Sequence, residues 1–413
     1  MRNDLPHGAL GDAGEHVLGG RCLQCWGKAV KNRRGAPKTS TETPGGKVTS
    51  DQMLTRAEII HLLGASTEPE INALKDRAYA VMKAHTGEKV YYRGIVELSN
   101  RCVMDCCYCG IRASNETLTR YTLSKQEIVD AAMWCAHQGY GSVVLQSGER
   151  SDPEFVSMIE TLILEIKERS RLPGLDKGLG ITLSLGEQTA DVYRRWREAG
   201  AHRYLLRIET SNPALFATLH PEGQRFESRL KALEALRTTG YQVGTGVMIG
   251  LPGQTVEMSA DDVLFFQEQD VDMVGMGPFI PHADTPLSAE KLGDRLLPDA
   301  ERFQRALNMI AVTRLVCPDI NIASTTALQA MIPNGRELGL LYGANVTMPN
   351  LTPASVRKDY RLYDGKPCLD ESKTECRSCL ERRIRSVGRE VGFDEWGDSP
   401  RAKKRNRIPG EPT

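Results

Sequence analysis

The feature that most limits how this chain can fold is an alternation. Eight short β-rich runs, at residues 90–98, 142–146, 180–185, 203–209, 242–249, 273–279, 321–327 and 344–348, are separated by stretches of helical apolar spacing. The clearest helical stretches are 128–137, which follows the capping box Ser124-Lys125-Gln126-Glu127, then 154–167, 190–199, 226–239, 256–268 and 300–316. Eight such units predict an α/β fold of the TIM type, a (β/α)8 barrel with its helices outside. A doubly wound open sheet is the alternative, but the count of eight favours closure. Ahead of the barrel, Thr55-Arg56-Ala57-Glu58 has capping-box spacing, and Ile59, Ile60, Leu62 and Leu63 share one helical face. The expected organisation is a disordered leader at 1–52, N-terminal helices at 53–89 and the barrel at 90–352. A cysteine-bearing C-terminal segment at 353–395 and a disordered basic tail at 396–413 complete it. Met53, just ahead of the first helix, is a candidate translation start.

Charge and cysteine usage bound the function. The 53 basic and 53 acidic side chains cancel, but unevenly along the chain. Residues 1–50 hold eight Lys or Arg against four Asp or Glu, and residues 401–413 hold five against one. The body between them is therefore acidic by −8, with no basic face for nucleic acid. Apolar stretches fall well short of the ~18 residues that span a bilayer, and no signal peptide is evident, so a cytoplasmic location is expected. In that compartment 11 cysteines point to metal binding or catalysis rather than to disulfides.

Directly after the first β-rich run comes Ser99-Asn100-Arg101-Cys102-Val103-Met104-Asp105-Cys106-Cys107-Tyr108-Cys109-Gly110. Cys102, Cys106 and Cys109 form C-x3-C-x2-C. Three thiolates on one loop at the carboxyl end of a barrel strand can hold three irons of a [4Fe–4S] cube and leave the fourth open. Zinc prefers four ligands in paired C-x2-C units, and a ferredoxin would show C-x2-C-x2-C. This loop resembles the signature of the radical S-adenosylmethionine (AdoMet) superfamily. The resemblance implies that the open iron chelates AdoMet and that its reductive cleavage gives a 5′-deoxyadenosyl radical. Tyr108 is then expected against adenine, with a core tyrosine as the alternative, while Cys107 falls outside the spacing.

A strand period of two allows the barrel interior to be read. Arg207 and Glu209 share one face of the fourth run and Ile208 the other, while Thr182 and Ser184 share a face of the third. A charged pair and hydroxyls directed inward would line a ligand cavity; an internal ion pair that holds register is the competing reading for Arg207 and Glu209. Gly244, Gly246 and Gly250 leave room beside it. Leu251-Pro252-Gly253-Gln254-Thr255 lacks the ending of a phosphate loop.

Further phrases carry a narrower resemblance: Val144 to Glu149, Thr182 to Glu187, Tyr204 to Pro213, Gly250 to Thr255, Gly277 to His282, Thr325 to Ala327 and Gly343 to Asn350. Together, from about Thr55 to Arg389, they are similar to the HydE family of [FeFe]-hydrogenase maturases, which is related to biotin synthase. The resemblance implies that Gln146, Ser147, Glu209 and Arg229 touch AdoMet, Arg229 pairing its carboxylate. It also implies that Arg93, Thr182, Arg207, Thr325, Thr326 and Met348 line an inner, anion-tolerant cavity, with Tyr360 and Tyr363 beside it. The substrate it implies is a cysteine-bound Fe–CO–cyanide unit, with an electron-donor protein and the maturases HydG and HydF as partners. Position 208 is Ile where some members have His, on the face turned away from the cavity.

Cys368, Cys376 and Cys379 form C-x7-C-x2-C. Three cysteines suit an accessory iron–sulfur cluster with a non-cysteine ligand, which the resemblance allows as a variable feature; a zinc site completed by another residue competes. Cys22 and Cys25 form a further C-x2-C in the leader, to which no metal is assigned. The rival functions are a different radical-AdoMet reaction on a small organic molecule, as in methylornithine synthase, and a non-enzymatic iron–sulfur scaffold. The polar strand ends argue against a scaffold, which needs no AdoMet pocket.

Overall fold

The computed structural model describes residues 53–405; the leader, Cys22 and Cys25, and residues 406–413 lie outside the described residues. Among the described residues eleven strands run in chain order: β1 (Lys89–Ser99), β2 (Ser142–Ser147), β3 (Gly180–Ser184), β4 (Arg203–Leu205), β5 (Gln242–Thr245), β6 (Met248–Ile249), β7 (Met273–Val274), β8 (Gly277–Pro278), β9 (Asn321–Ile322), β10 (Val346–Thr347) and β11 (Glu390–Val391). The ladder order is β10-β1-β2-β3-β4-β5-β7-β9, every pairing parallel. An Ala323–Val346 bridge, with the Ser324 N–H donating to the Val346 carbonyl at 2.8 Å, joins β9 back to β10 and closes the ring. The pair β6 and β8 prolongs β5 and β7 toward the carboxyl end of the barrel.

The expected (β/α)8 barrel is therefore the architecture. Its strands are buried on both faces because side chains fill the interior and helices cover the outside. Ile208 joins the apolar layer under those helices, as its parity predicts. Between β9 and β10 only two short helices intervene, Thr326–Met331 and Gly335–Leu341. The N-terminal helix Arg56–Leu63 carries the Thr55–Glu58 capping box, and the next helix, Glu68–Thr86, packs on helix Asp299–Val316.

One expectation is corrected. Residues 396–405, read as part of a mobile tail, close the amino-terminal end of the barrel. Trp396 Nε1 donates to the Gly178 carbonyl at 2.8 Å, and Lys167 stands 4.4 Å over its ring. Asp398 pairs with the buried Arg203 and, at 3.2 Å, with His202. The Gly397 carbonyl accepts from Arg93 at 3.1 Å and from Asn321 at 2.8 Å, and Arg405 in helix Pro400–Arg405 pairs with Asp272 at 2.6 Å. These fastenings are polar and reach across 76 to 304 positions of sequence, so apolar periodicity does not reveal them.

Removing one partner of a buried ion pair leaves its charge uncompensated. Asp398→Ala is therefore expected to destabilise the protein by about 3 kcal/mol, measured by denaturant unfolding. A loss below about 0.5 kcal/mol, the scale of an exposed pair, would show that the floor is held elsewhere.

Candidate functional site

The loop that follows β1 is shaped by its own polar side chains. Asn100 Nδ2 donates to the carbonyls of Thr119 and Asp359, both at 2.7 Å. Asp105 accepts from Arg112 Nε at 2.7 Å and from the Ser114 N–H at 3.0 Å, and Arg112 holds its carboxyl well below the usual range. Cys102, Cys106 and Cys109 are thereby turned into one cavity of about 370 Å³ at the carboxyl end of the barrel. Cys107 is absent from its wall. Its backbone is instead clamped by Leu219 at 2.8 Å and Leu287 at 3.1 Å.

The residues present fit an iron–sulfur cube. Cys102 Sγ accepts from the N–H groups of Met104 at 3.4 Å and Glu149 at 3.3 Å, donors that stabilise a thiolate. Gly148 is necessary to this approach: a Cβ there would lie 2.7 Å from Cys102 Cβ and 2.4 Å from the Arg101 carbonyl. Burial pushes all three thiols up, Cys106 to about 12, so ligation must bring deprotonation with it.

Around the cysteines stand the residues expected to touch AdoMet. Tyr108, Gln146, Ser147, Glu209 and Arg229 all line the same cavity. Gln146 Nε2 donates to Tyr360 Oη at 3.2 Å, and Ser147 Oγ donates to the Gly148 carbonyl at 2.6 Å. Arg229 is held by Glu187 at 2.6 Å and donates to the Arg207 carbonyl. Tyr108 meets His220 edge to face, with Oη to Nε2 at 3.4 Å. Glu149 also lines this end, and burial raises its carboxyl.

Glu209 has left-handed backbone, φ 64°, just beyond the regular end of β4. Its carboxylate takes a two-pronged bond from Arg207, Nε to Oε1 and Nη2 to Oε2, both at 2.8 Å. The two are thus both cavity residues and an ion pair, which joins the alternatives left open by the sequence. Thr325, Thr326 and Met348 line the cavity too, as do Tyr360 and Tyr363.

Arg93 and Thr182 do not. They border a separate space of about 10 Å³ nearer the floor, with Arg203 and Asp272. Thr182 Oγ1 accepts from Arg203 Nε at 3.0 Å, and Arg93 is tied to the C-terminal segment. Parity turned Thr182 inward, and the resemblance named Arg93, but neither says anything of depth, and both sit nearer the amino end. Sequence reasoning also missed Glu97, Lys366 and Arg336 on the cavity wall. Glu97 could have been found, since it shares a strand face with Arg93 and Ile95; Lys366, which pairs with it, and Arg336 lie in stretches with no period to read.

The C-terminal triad is reorganised. Cys368, Cys376 and Glu371 bring their ligand atoms within 4.8 Å of one another, the spacing of a single-ion site. Cys379 instead accepts from Arg383 at 3.4 Å and lines an outer hollow of about 720 Å³. Cys368 and Cys376 open onto the main cavity, and Cys368 onto the outer hollow as well. A hydrogen bond from the Cys368 thiol holds the Cys376 thiol below its ordinary value.

Known proteins bear on this geometry. Residues 96–265 match the Radical SAM superfamily model. The [FeFe] hydrogenase maturase subunit HydE of Thermotoga maritima is 45% identical over 330 residues, 80% of this chain and 89% of that protein. The solved structure of methylornithine synthase (PylB) superposes with a TM-score of 0.68 at 25% identity, covering 83% of this chain and 96% of that one. The maturase HydG of Carboxydothermus hydrogenoformans gives a TM-score of 0.68 at 21% identity over 83% of this chain and 76% of its own, a likeness of fold. With its cysteine loop, closed barrel and extended identity, the chain belongs to the HydE family of [FeFe]-hydrogenase maturases, enzymes of the radical SAM superfamily.

Proposed function

We propose that the cavity takes two ligands at once, AdoMet at the cysteine end and a cysteine-bound Fe–CO–cyanide unit toward Arg207, Thr325, Thr326 and Met348. The observation that carries this reading is that the three thiols and the Arg207–Glu209 pair share one enclosed space of about 370 Å³. Cys102, Cys106 and Cys109 would hold the [4Fe–4S] cluster, which with AdoMet bound supplies a 5′-deoxyadenosyl radical. Arg229, fixed by Glu187, offers its guanidinium to the AdoMet carboxylate, and Gln146, Ser147 and Glu209 offer acceptors to the amino group. Tyr108 presents its ring to adenine. The segment bearing Tyr360, Tyr363 and Lys366 covers the opening and keeps bulk water from the reacting atoms.

Toward the inner end, Arg207 and the threonine hydroxyls are donors suited to cyanide nitrogens, while Met348 gives an apolar surface for carbonyl ligands. In this reading the chain works in the cytoplasm, receives an electron from a carrier protein, takes its substrate from HydG and passes its product toward HydF. The Cys368, Glu371 and Cys376 group offers an accessory metal site that the AdoMet reaction does not require.

The decisive experiment is an anaerobic hydrogenase-maturation assay from which only this protein is omitted; normal hydrogenase activity without it would overturn the proposal. Cys106→Ala, reconstituted anaerobically, should form no detectable 5′-deoxyadenosine by chromatography, whereas replacing Cys368, Cys376 and Cys379 together should leave its formation largely intact. Gly148→Val should lose most of its bound iron while unfolding within about 3 kcal/mol of the unsubstituted protein, the cost of local overpacking. Full iron content in that variant would show that the loop does not depend on this approach.

A further inference from the structure

The three thiols of the cysteine loop are not provided for in the same way. Cys102 Sγ accepts from the N–H groups of Met104 and Glu149, and the Ile111 N–H supports Cys109. Among the described residues Cys106 is met instead by two side chains, those of Gln224 and Tyr108.

Tyr108 has one proton to give, and His220 competes for it. His220 Nδ1 lies 2.9 Å from the Phe216 carbonyl, which can only accept, so Nδ1 carries the ring proton. Burial pushes this imidazole down to about 4 and keeps it neutral, with Nε2 left as an acceptor 3.4 Å from the Tyr108 hydroxyl. The ring is stacked on Phe216, centroids 3.9 Å apart, and cannot swing away freely.

Gln224 has no such competitor. It ends the turn between helix Pro213–Leu219 and helix Phe226–Thr238, where its own N–H donates to the Pro221 carbonyl at 2.8 Å. The residue is 8% exposed and lines the main cavity. Its side chain makes one hydrogen bond among the described residues, Oε1 accepting from the Cys106 thiol at 3.8 Å. Half a turn about the last bond of the side chain exchanges Oε1 and Nε2 and leaves the rest in place. Once Cys106 binds iron its sulfur has no proton left to donate, and the amide is then favourable there only with Nε2 forward.

We infer that Gln224 donates an N–H···S hydrogen bond to the iron-bound Cys106 and thereby raises the reduction potential of the cluster. The inference rests on the cluster assignment above and adds to it the residue that sets how readily the electron is accepted. Reduction by one electron puts more negative charge on the ligand sulfurs, so a donor at Cys106 stabilises the reduced cluster more than the oxidised one.

The test is an anaerobic redox titration of the reconstituted full-length protein, read by the electron paramagnetic resonance of the reduced cluster. AdoMet is withheld during the titration; its later addition, by changing the spectrum, marks the signal as that of the open-iron cluster. Gln224→Met, similar in volume and without a donor, should shift the one-electron equilibrium toward the oxidised form about tenfold, a potential lower by about 59 mV. Gln224→Asn, whose amide is one methylene short, should shift it severalfold in the same direction. Glu222→Gln, on the exposed part of the same turn, should titrate as the unsubstituted protein does. A shift below about twofold in Gln224→Met would overturn the inference. Should that variant fail to load iron, Gln224→Asn decides: a severalfold shift supports the hydrogen bond, and an unchanged potential refutes it. Reduction needs neither turnover nor hydrogenase, so a failed maturation assay with this shift intact would remove the proposed function and leave the role of Gln224 standing.

Discussion

Every part of the site depends on β1 being paired along both edges. On one side it runs with β2 from Arg93–Ser142 to Ser99–Ser147, and on the other with β10 at Tyr91–Val346 and Tyr92–Thr347. The β1–β2 register shifts between Glu97 and Ser99, where an irregularity redirects the chain. That turn sends the next residues across the mouth of the barrel rather than back to a helix. The cysteine loop is thus launched from a strand that cannot move, and Gly148, at the end of the neighbouring strand, lets it lie close. A loop launched from a frayed edge would not keep three thiols aimed at one space.

The cavity is kept open by charges that stabilise little. Arg207–Glu209, Arg229–Glu187 and Lys366–Glu97 are all largely buried ion pairs. Desolvation offsets most of their attraction, and well-packed leucines and valines would serve stability as well or better. What the pairs provide is a lining of fixed donors and acceptors where an apolar barrel would be solid with side chains. Glu209 shows the same exchange in its backbone: it accepts a left-handed conformation, uncommon for glutamate, and so directs its carboxylate to Arg207 instead of continuing the strand.

Much of this was legible in the sequence because it is local. Strand parity put Arg207 and Glu209 on one face and Ile208 on the other, and the C-x3-C-x2-C spacing singled out three thiols that line one cavity whose wall lacks Cys107. Capping boxes at Thr55 and Ser124 marked helix starts that the structure shares. What failed was set by distant contacts. Neither the parity that turned Thr182 inward nor the resemblance that named Arg93 measures depth, and both residues border a separate space nearer the floor of the barrel. Spacing alone grouped Cys379 with Cys368 and Cys376; the fold brings Glu371, three positions after Cys368, within 4.8 Å of those two thiols, while Cys379 accepts from Arg383. The floor segment escaped notice because its interactions are carbonyls and carboxylates on buried arginines, not an apolar stripe.

The closing segment explains why the barrel needs more than eight units. Arg357, almost wholly buried, donates to the carbonyls of Thr352 at 2.6 Å, Cys368 at 3.0 Å and Glu371 at 2.7 Å, and so binds both ends of the stretch that carries Tyr360, Tyr363 and Lys366. Lys366 then reaches down to Glu97 on β1, the strand that launches the cysteine loop. Roof and cluster loop are in this way referred to the same strand. A ligand between them is bounded by two walls whose separation is set by one element, so the spacing across the cavity is a property of β1 rather than of either loop.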